Sequence, residues 1–484
     1  MGYRFSLKPE LSKITFKKRE VQLMRVCLLF LMALSFCCEA ARKPNVVFIF
    51  TDDQGTLDAN CFGSDDLHTP AIDGLADNGI KFTQAYSHTV CCPARAALLT
   101  GRYPQRSGVN SWTQGDLKSG RGINMSANEI TIAEALRAVG YRTALYGKWH
   151  LGAARESGPT TQGFDEFFGL RGGFIDNFNH HFLHGSGFYD LYEKTKEVHA
   201  RGEYFPELMT DRALSFIEKN KDGPFFLYFS LNIPHYPEQA LEMFGERYKE
   251  LPMPRRSYAA MISTTDHYIG QILKKLDDLK LVEDTLIVFM SDNGHSAEHS
   301  QIRVDNHSSG LKKGHYYGAF GGGGNAGPYR GNKGTFFEGG IRVPAILSYP
   351  KALPKGSVRD QAVTSMDWYP TVLDLCGVEK DKRISFDGKS LVPMIMDKGD
   401  DEIHDEFHWA WQNQWAVRVG DWKLIGRGSW DLKPGQKIPS GTHLGNISDK
   451  EPEKKNYISE RKEVLKKLKE SHDRWAKTVG FSAK

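Results

Sequence analysis

Residues 45–54 read NVVFIFTDDQ, an apolar run rich in β-branched and aromatic side chains that ends in two aspartates. A short continuous apolar run of this composition predicts a buried strand over Asn45–Thr51. Three further runs have the same character: Arg142–Tyr146, Phe225–Ser230 and Thr285–Met290. Helix-like patterns lie between them at Thr131–Ala138, Met209–Lys219 and Tyr258–Leu279. Strands that alternate with helices predict an α/β fold with a sheet covered on both faces.

The pattern changes after about residue 400. Short strands are predicted at Phe407–Trp411, Trp415–Val419 and Trp422–Gly426, followed by a Lys/Glu-rich helix over Ser459–Lys477. The sequence therefore predicts a main domain over 41–400 and a small C-terminal α+β subdomain with a short antiparallel sheet over 401–484.

The beginning of the chain has the pattern of a secretory signal. Basic residues between 17 and 25 precede an apolar run over Val26–Cys38, and Cys38-Glu39-Ala40 follows as a small-x-Ala cleavage pattern. This pattern predicts a signal peptide over 1–40, with a membrane anchor as the alternative. A spanning helix needs roughly 20 apolar residues, which favours the cleaved signal and no stable membrane span. The expected location is the periplasm or exterior of a bacterium, or the lysosome or exterior of an animal cell.

Composition excludes several classes of protein. Among 484 residues, 63 Lys and Arg against 59 Asp and Glu give a net charge of +4, with 40% hydrophobic and 25% charged residues. These values are typical of soluble globular domains and exclude disorder, collagen, coiled coils and multi-span membrane proteins. No stretch is basic enough to bind nucleic acid.

Polar residues follow each of the four predicted strands. They are Asp52-Asp53 after the first, Lys148 and His150 after the second, His235 after the third, and Asp292-Asn293 after the fourth. In open α/β sheets, ligands bind beyond the carboxyl ends of the strands. The sequence therefore predicts a hydrolytic site at this edge.

The acidic part of this set offers only oxygen donors, from Asp52, Asp53, Asp292 and Asn293. Such donors suit Ca²⁺ or Mg²⁺, whereas zinc prefers nitrogen and sulfur. Each pair taken alone is also typical of a plain turn. Their positions after two separate apolar strands favour a shared cation site.

Residues 88–102 read HTVCCPARAALLTGR. Pro93 fits the first turn of a helix, which puts Cys91 just before the helix N-terminus. Exposed N–H groups there favour an anion. From the residues alone, the segment predicts either an activated thiolate or an anion-binding cradle.

This segment resembles the signature of the type I sulfatases, in the alkaline phosphatase superfamily. It reads Cys91-Cys92-Pro93-Ala94-Arg95 and then Leu99-Thr100-Gly101-Arg102, with Ala94 in place of the commoner serine. Matching motifs follow in the expected order between Asn45 and Pro350, at 52–54, 147–150, 234–235, 291–294 and 333–344. The resemblance implies an alkaline phosphatase-like fold, with a large mixed, mostly parallel sheet and helices on both faces.

The resemblance also implies a chemistry. Cys91 would be oxidised to formylglycine by a formylglycine-generating enzyme, and one hydroxyl of its hydrate would attack sulfur and displace the alcohol. The second hydroxyl would then expel sulfate and restore the aldehyde, which a serine or thiol cannot do without separate hydrolysis of its adduct. Asp52, Asp53, Asp292 and Asn293 would hold Ca²⁺, less favourably Mg²⁺, with residue 91 completing the coordination shell.

The same resemblance assigns roles to the remaining groups. Arg95 would orient the diol, His150 would assist sulfate release, and Asp292 is a candidate to take the attacking hydroxyl's proton. Lys148, His235 and Lys333 would direct positive charge at the sulfate oxygens. His235 and Lys333 are both candidates for the general acid.

The substrate pocket is less clearly defined. Asp176–His181 and His184 form a polar, aromatic stretch, and His180 and His181 are predicted sugar contacts. A second metal site and a plain surface loop are the alternatives. The Gly321–Gly324 run is interpreted as a mobile lid or as an uninvolved loop. Trp409, Trp411, Gln412 and Trp415 either reach the pocket or pack in the core.

The leading prediction is an exported sulfatase that hydrolyses sulfate esters on a carbohydrate. Two alternatives stay open: a phosphate or phosphonate ester hydrolase of the same superfamily, and a non-catalytic protein that binds sulfated glycans and keeps Cys91 unoxidised. The sequence leaves open which sugar and which sulfated position are recognised, endo or exo action, and the oligomeric state.

Overall fold

A computed structural model describes residues 1–2, 42–113, 123–396, 402–426 and 441–482. The chain divides into two compact units, 1–43 and 44–484, and the fold described below is that of the second. Nearly all of the predicted signal segment 1–40, and the predicted domain boundary near residue 400, lie outside the described residues. Both stay predictions.

The strands of the described residues are, in chain order, β1 Asn45–Asp52, β2 Ile80–Phe82, β3 Ala85–Tyr86, β4 Arg142–Lys148, β5 Glu166–Leu170, β6 His181–Phe182, β7 Phe188–Tyr189, β8 Tyr192–Glu193, β9 Lys196–Glu197, β10 Phe225–Pro234, β11 Thr285–Ser291, β12 His299–Gln301, β13 Tyr316–Phe320, β14 Ala345–Ser348, β15 Ser357–Arg359, β16 Val363–Thr364, β17 Phe407–Trp411, β18 Gln414–Val419, β19 Trp422–Gly426 and β20 His443–Asn446. The helices are α1 Pro70–Asp77, α2 Cys91–Thr100, α3 Ile132–Ala138, α4 Phe205–Asn220, α5 Glu242–Arg247, α6 Arg255–Asp278, α7 Glu338–Ile341, α8 Trp368–Leu375, α9 Val392–Met396 and α10 Lys462–Thr478.

A ten-stranded sheet forms the centre, in the order β15-β2-β14-β11-β1-β10-β4-β5-β8-β9. The segment from β11 to β5 is parallel throughout, and antiparallel pairs flank it on both sides. The four strands predicted from apolar runs are β11, β1, β10 and β4, which are consecutive in the sheet. The predicted mixed, mostly parallel, alkaline phosphatase-like architecture is confirmed.

Both faces of this sheet are buried, and strand β1 shows why. Its side chains alternate between faces: Phe48 and Phe50 join one apolar core, whereas Val47 and Ile49 join another. Residues of α2, α3 and α8 complete the first core, and residues of α1, α4 and α6 complete the second. A strand with helices on both sides must be apolar on both faces, which explains the continuous hydrophobic run.

The predicted helices are present, with shifted ends. Thr131 caps α3 by accepting a hydrogen bond from the Glu134 N–H, so the helix begins one residue later than predicted. Helix α4 begins at Phe205, earlier than predicted, because Pro206 suits a first turn. None of the helices in the described ranges is long and apolar enough to cross a membrane.

The C-terminal sheet has the antiparallel order β17-β18-β19-β20, so the predicted short sheet is confirmed and gains a fourth strand. Leu468 of α10 packs with Val417 and Leu424 on this sheet. Helix α10 begins at Lys462, three residues after the predicted start at Ser459.

Buried charges connect this sheet to Glu338, which precedes it in the chain, and to Glu453, which follows it. The Lys423 ammonium of β19 lies 2.7 Å from Glu338 Oε1 and 2.7 Å from Glu453 Oε1, with all three side chains fully buried. Tyr86 donates a hydrogen bond of 2.6 Å to Glu338 Oε2. Burial alone would raise the pKa of Glu338, but Lys423, Arg342 and Arg418 hold that pKa at about 2.

We expect Lys423→Met to lower the free energy of unfolding by about 3–5 kcal/mol, because it leaves buried carboxylates without their cation. Urea denaturation measures the loss. The control is Lys455→Met, which removes a lysine whose side chain is 54% exposed in its pair with Glu460 and should cost far less. Equal losses in the two variants would contradict a stabilising role for the buried network.

Candidate active site

Carboxylates from two neighbouring strands meet residue 91 at one edge of the sheet. Asp52 ends β1, and Asp292 directly follows the adjacent β11. Ligand atoms of Asp52, Cys91 and Asp292 lie within 4.8 Å of one another, and all three residues are buried. The strand pairing that builds the sheet therefore also builds this acidic cluster.

Asp53 is held in a strained turn beside these groups. Its φ of 65° lies in the left-handed region, which is uncommon for a residue other than glycine. Its N–H donates to Asp292 Oδ1 at 3.1 Å, and its carbonyl accepts from the Tyr258 hydroxyl at 2.9 Å. Asn293 Nδ2 donates to Asp53 Oδ1 at 2.7 Å. These hydrogen bonds fix three of the four predicted metal ligands, Asp53, Asp292 and Asn293, relative to one another.

The donor set fits a hard divalent cation. Asp52 Oδ1 and Asn293 Oδ1 are buried without a hydrogen-bond partner among the described residues. Burial and the charge of Asp292 raise the pKa of Asp52 to about 8. Buried oxygens normally have a partner, and oxygen-only ligands suit Ca²⁺ or Mg²⁺.

Each carboxylate also contacts a cation. Arg95 Nη2 donates to Asp292 Oδ2 at 2.9 Å, the Lys148 ammonium lies 2.5 Å from Asp52 Oδ2, and the Lys333 ammonium lies 2.8 Å from Asp53 Oδ2. Burial would raise the pKa of Asp292, but Arg95 and the two lysines together hold it below its usual value. Burial disfavours the Lys333 ammonium, yet Asp53 raises the pKa of that lysine overall.

The two predicted histidines border the same cluster. His235 Nε2 lies 3.6 Å from Asp53 Oδ2, and its Nδ1 lies 2.6 Å from the Tyr236 carbonyl oxygen. Burial, reinforced by Lys333 for His235 and by Lys148 for His150, holds the pKa of both imidazoles well below the usual value. Burial beside Lys333 therefore disfavours the charged form of His235, and its predicted role at the sulfate oxygens stays a prediction.

His150 is fixed by close packing. It has a φ of 51°, its ring stacks on Trp112 with centroids 6.2 Å apart, and a Cβ on Gly173 would lie 2.9 Å from its Cε1. A side chain larger than hydrogen at residue 173 would therefore displace the imidazole.

Cys91 is the first residue of α2 and not the residue before it, because Val90 is the N-cap. Burial raises the pKa of its thiol far above the usual range, which argues against the activated thiolate. The neighbouring Cys92 has its Sγ 3.6 Å from the Ser111 carbonyl oxygen. The two adjacent cysteines therefore have separate surroundings.

An open cavity of about 410 Å³ leads to these groups. Its lining is polar and aromatic: Cys91, Trp112, Thr113, His150, Gly172, Gly173, Phe174, Phe182, His184, Phe188, His235, Tyr236, Glu298 and Lys333. Four predicted site residues, Cys91, His150, His235 and Lys333, thus share one cavity.

His180 and His181 lie elsewhere. His180 is buried, with Nε2 3.1 Å from the Glu203 carbonyl oxygen, and His181 Nδ1 lies 2.9 Å from the Asn179 carbonyl oxygen. Neither residue lines the cavity, so their placement does not support the predicted sugar contact. His184, from the same polar stretch, does line it.

Gly323, Gly324, Trp409 and Trp411 pack around the site and do not line its cavity. A Cβ on Gly323 or Gly324 would lie within 2.5 Å of Tyr258 or His295 carbon atoms, so these two glycines pack tightly and do not line the cavity. Trp409 Nε1 donates to the Ser87 carbonyl at 2.9 Å. Trp411 packs edge-on against the cavity residue Trp112, with ring centroids 5.1 Å apart.

Three residues at the site are absent from the sequence-based prediction. Ser230 accepts a hydrogen bond from Arg95 Nη1 at 2.5 Å and donates one to the Lys148 carbonyl at 2.6 Å. Its place at the end of the predicted apolar run Phe225–Ser230 was a usable signal, although β10 continues to Pro234. Trp112 and Glu298 carry no such signal, because each stands in a loop and reaches the cavity only through the tertiary fold.

Family comparison agrees with this geometry. The sulfatase family model matches residues 44–378, and a model of the C-terminal region of N-sulphoglucosamine sulphohydrolase matches 329–471. Mouse arylsulfatase J is 31% identical over 79% of this chain, which spans 64% of that protein's length. Mouse N-acetylgalactosamine-6-sulfatase is 31% identical over 86% of this chain and 80% of its own length.

A solved structure is similar over nearly the whole chain. Ps i-CgsB in complex with k-i-k-neocarrahexaose superimposes with a TM-score of 0.75 at 28% identity, covering 90% of this chain and 93% of its own. The family model covers well over half of the sequence and every strand that contributes to the site. The chain belongs to the sulfatase family of the alkaline phosphatase superfamily and is a sulfuric ester hydrolase.

Proposed function

We propose that this protein is an exported sulfatase that hydrolyses sulfate esters of a carbohydrate, with Cys91 converted to formylglycine and Ca²⁺ bound beside it. The observation that carries the proposal is the meeting of Asp52, Asp292 and residue 91 within 4.8 Å, next to Arg95, Lys148 and Lys333. Export rests on the sequence pattern of residues 1–40. Maturation requires a formylglycine-generating enzyme as a transient partner.

Ca²⁺, or less favourably Mg²⁺, would be held by Asp52, Asp53, Asp292 and Asn293, and when bound it polarises a sulfate oxygen. Formylglycine at position 91 supplies the attacking oxygen. Arg95, anchored by Asp292 and Ser230, orients the side chain of residue 91.

Lys148 and Lys333 place positive charge where the sulfate oxygens lie. Both contact aspartates of the acidic cluster, so their ammonium groups are fixed before substrate enters. Preorganised charge of this kind stabilises a transition state without reorganisation during the reaction. His150, whose burial favours the neutral imidazole, can donate one hydrogen bond to the same anion. The sulfate-binding role of His235 stays a prediction, because its Nδ1 donates to the Tyr236 carbonyl and a neutral ring then has no second N–H for an anion.

Lys333 is the better of the two candidates for the general acid. It lines the cavity and is protonated, whereas burial disfavours the charged form of His235. Lys333 therefore delivers its proton to the leaving oxygen.

The cavity and the relatives support a carbohydrate substrate. Trp112, Phe174 and Phe182 offer aromatic faces beside polar groups, a combination that suits sugar rings. N-acetylgalactosamine-6-sulfatase is a sugar sulfatase by name, and Ps i-CgsB is solved with an oligosaccharide.

The central experiment compares matched sulfate and phosphate monoesters with the protein matured by co-expression. We expect faster hydrolysis of the sulfate ester. A preference for the phosphate or phosphonate ester would favour that alternative activity, and no hydrolysis of either would favour the glycan-binding alternative.

Cys91→Ala should reduce kcat/KM for 4-nitrophenyl sulfate by roughly 10³-fold or more, because it removes the nucleophile. Cys92→Ala is the matched control, since it removes the adjacent thiol and should keep most of the activity. Mass spectrometry of the peptide that contains residue 91 should show formylglycine in the control. An active Cys91→Ala protein, or an unmodified Cys91 in an active protein, would refute this assignment.

Removal of Ca²⁺ by a chelator should lower both activity and Tm, because an ion that binds only the folded protein stabilises it and because the buried Asp52 Oδ1 and Asn293 Oδ1 lose their partner. Added Ca²⁺ should restore both, and Mg²⁺ should restore them less fully. Asp305→Asn, which changes an aspartate whose side chain is 76% exposed, should respond to the chelator as the unmodified protein does. A Tm unaffected by chelation would argue against a resident cation.

Lys333→Met should slow the hydrolysis of alkyl sulfates more than that of aryl sulfates. An alkyl alcohol is the poorer leaving group, so its departure depends more on proton donation. A roughly 10²- to 10⁴-fold loss is expected on the alkyl ester. Lys313→Met, at a side chain that is 58% exposed, is the control. Equal losses on both esters would show that Lys333 binds sulfate without acting as the acid.

A further inference from the structure

Two cavity residues stand apart from the groups assigned above. His184 Nε2 lies 3.1 Å from Glu298 Oε1, and the side chains are 39% and 36% exposed. Both line the cavity that contains Cys91. Glu298 is therefore a carboxylate that faces the space where an anionic substrate binds, and it is not part of the acidic cluster around Asp52.

One aromatic side chain, Phe174, lies between this pair and His235. Phe174 stacks on His235 with centroids 5.1 Å apart, and it contacts His184 edge-on with centroids 4.8 Å apart. The Tyr236 hydroxyl lies 3.4 Å from His184 Nε2. The pair thus lies one aromatic ring away from His235, a spacing that suits a neighbouring substituent on the same sugar.

Glu298 is charged in this setting. Burial would raise its pKa, but the hydrogen bond and charge of His184, together with Lys333, keep that pKa below the usual value. A carboxylate accepts hydrogen bonds only, and a charged imidazolium donates only. The carboxylate of Glu298 therefore complements a hydroxyl or amine and repels a second anion placed against it.

We propose that Glu298 and His184 bind a free hydroxyl or amine next to the sulfate ester under attack, and so select sugars that lack a second sulfate or carboxylate at that position. This inference rests on the proposed carbohydrate sulfatase activity. It specifies that the cavity recognises the substituent next to the sulfate ester.

The selection depends on whether a neutral donor or a second anion lies against the Glu298 carboxylate. A neutral donor gains a charge-assisted hydrogen bond, which typically changes binding by about ten- to hundredfold. A sulfate at the same position would place like charges close together in a partly buried cavity, where repulsion is stronger than in water. Selection thus has an attractive and a repulsive part.

The test uses the matured, full-length protein and pairs of tagged hexose sulfates. Each pair is a monosulfate of galactose, N-acetylgalactosamine or N-acetylglucosamine and the disulfate with the adjacent hydroxyl also sulfated. The measured quantity is the ratio of kcat/KM for the monosulfate to that for the disulfate. We expect a ratio of about ten or more for the unmodified protein.

Three variants separate the charge of Glu298 from its volume. Glu298→Gln keeps the size and removes the charge, so it should lower kcat/KM for the monosulfate by about tenfold or more and bring the ratio towards one. Glu298→Asp keeps the charge and should retain most of the preference. Glu246→Gln removes a carboxylate whose side chain is 74% exposed and should leave the ratio unchanged.

The outcomes are distinguishable. The inference is overturned if Glu298→Gln changes the ratio by less than twofold, or if Glu298→Gln and Glu298→Asp change it equally. Either result leaves the sulfatase activity itself unaffected. Hydrolysis of 4-nitrophenyl sulfate without hydrolysis of any sugar sulfate overturns the inference together with the carbohydrate assignment. Failure to hydrolyse any sulfate ester overturns the proposed function itself.

Discussion

The balance between buried carboxylates and buried cations at one sheet edge is the constraint on which the site depends. Asp52, Asp53 and Asp292 each contact a different cation, and the parallel pairing of β1 with β10 and β11 brings their strand ends together. Separate burial of any of these charges would be costly. Their mutual neutralisation makes the arrangement stable, and two unpartnered oxygens leave room for a cation in the same charge balance.

Much of this site was predictable because it follows from strand order. An apolar run that ends in Asp52 or Asp292 predicts both the strand and the place where its polar residues emerge, since parallel strands share one carboxyl edge. The motif around Cys91 predicted its helix to within one residue. The central sheet and the C-terminal sheet were predicted from the same kind of pattern.

The remaining features depend on contacts that no local pattern encodes. His180 and His181 stand in a polar, aromatic stretch, yet one ring nitrogen of each contacts a backbone carbonyl oxygen away from the cavity. The charge on His235 depends on burial next to Lys333, which is distant in sequence. Strand β20 has only four residues, so its pairing with β19 gives little signal in sequence.

Phe174 contacts both the ring of His235 and the ring of His184, so the proposed sulfate site and the proposed sugar contact share one aromatic side chain. A smaller side chain at residue 174 would remove packing from His235 and from His184 at the same time. Substitutions at 184 or 298 should therefore change the proposed sugar contact alone, because they leave the phenyl ring packed against His235.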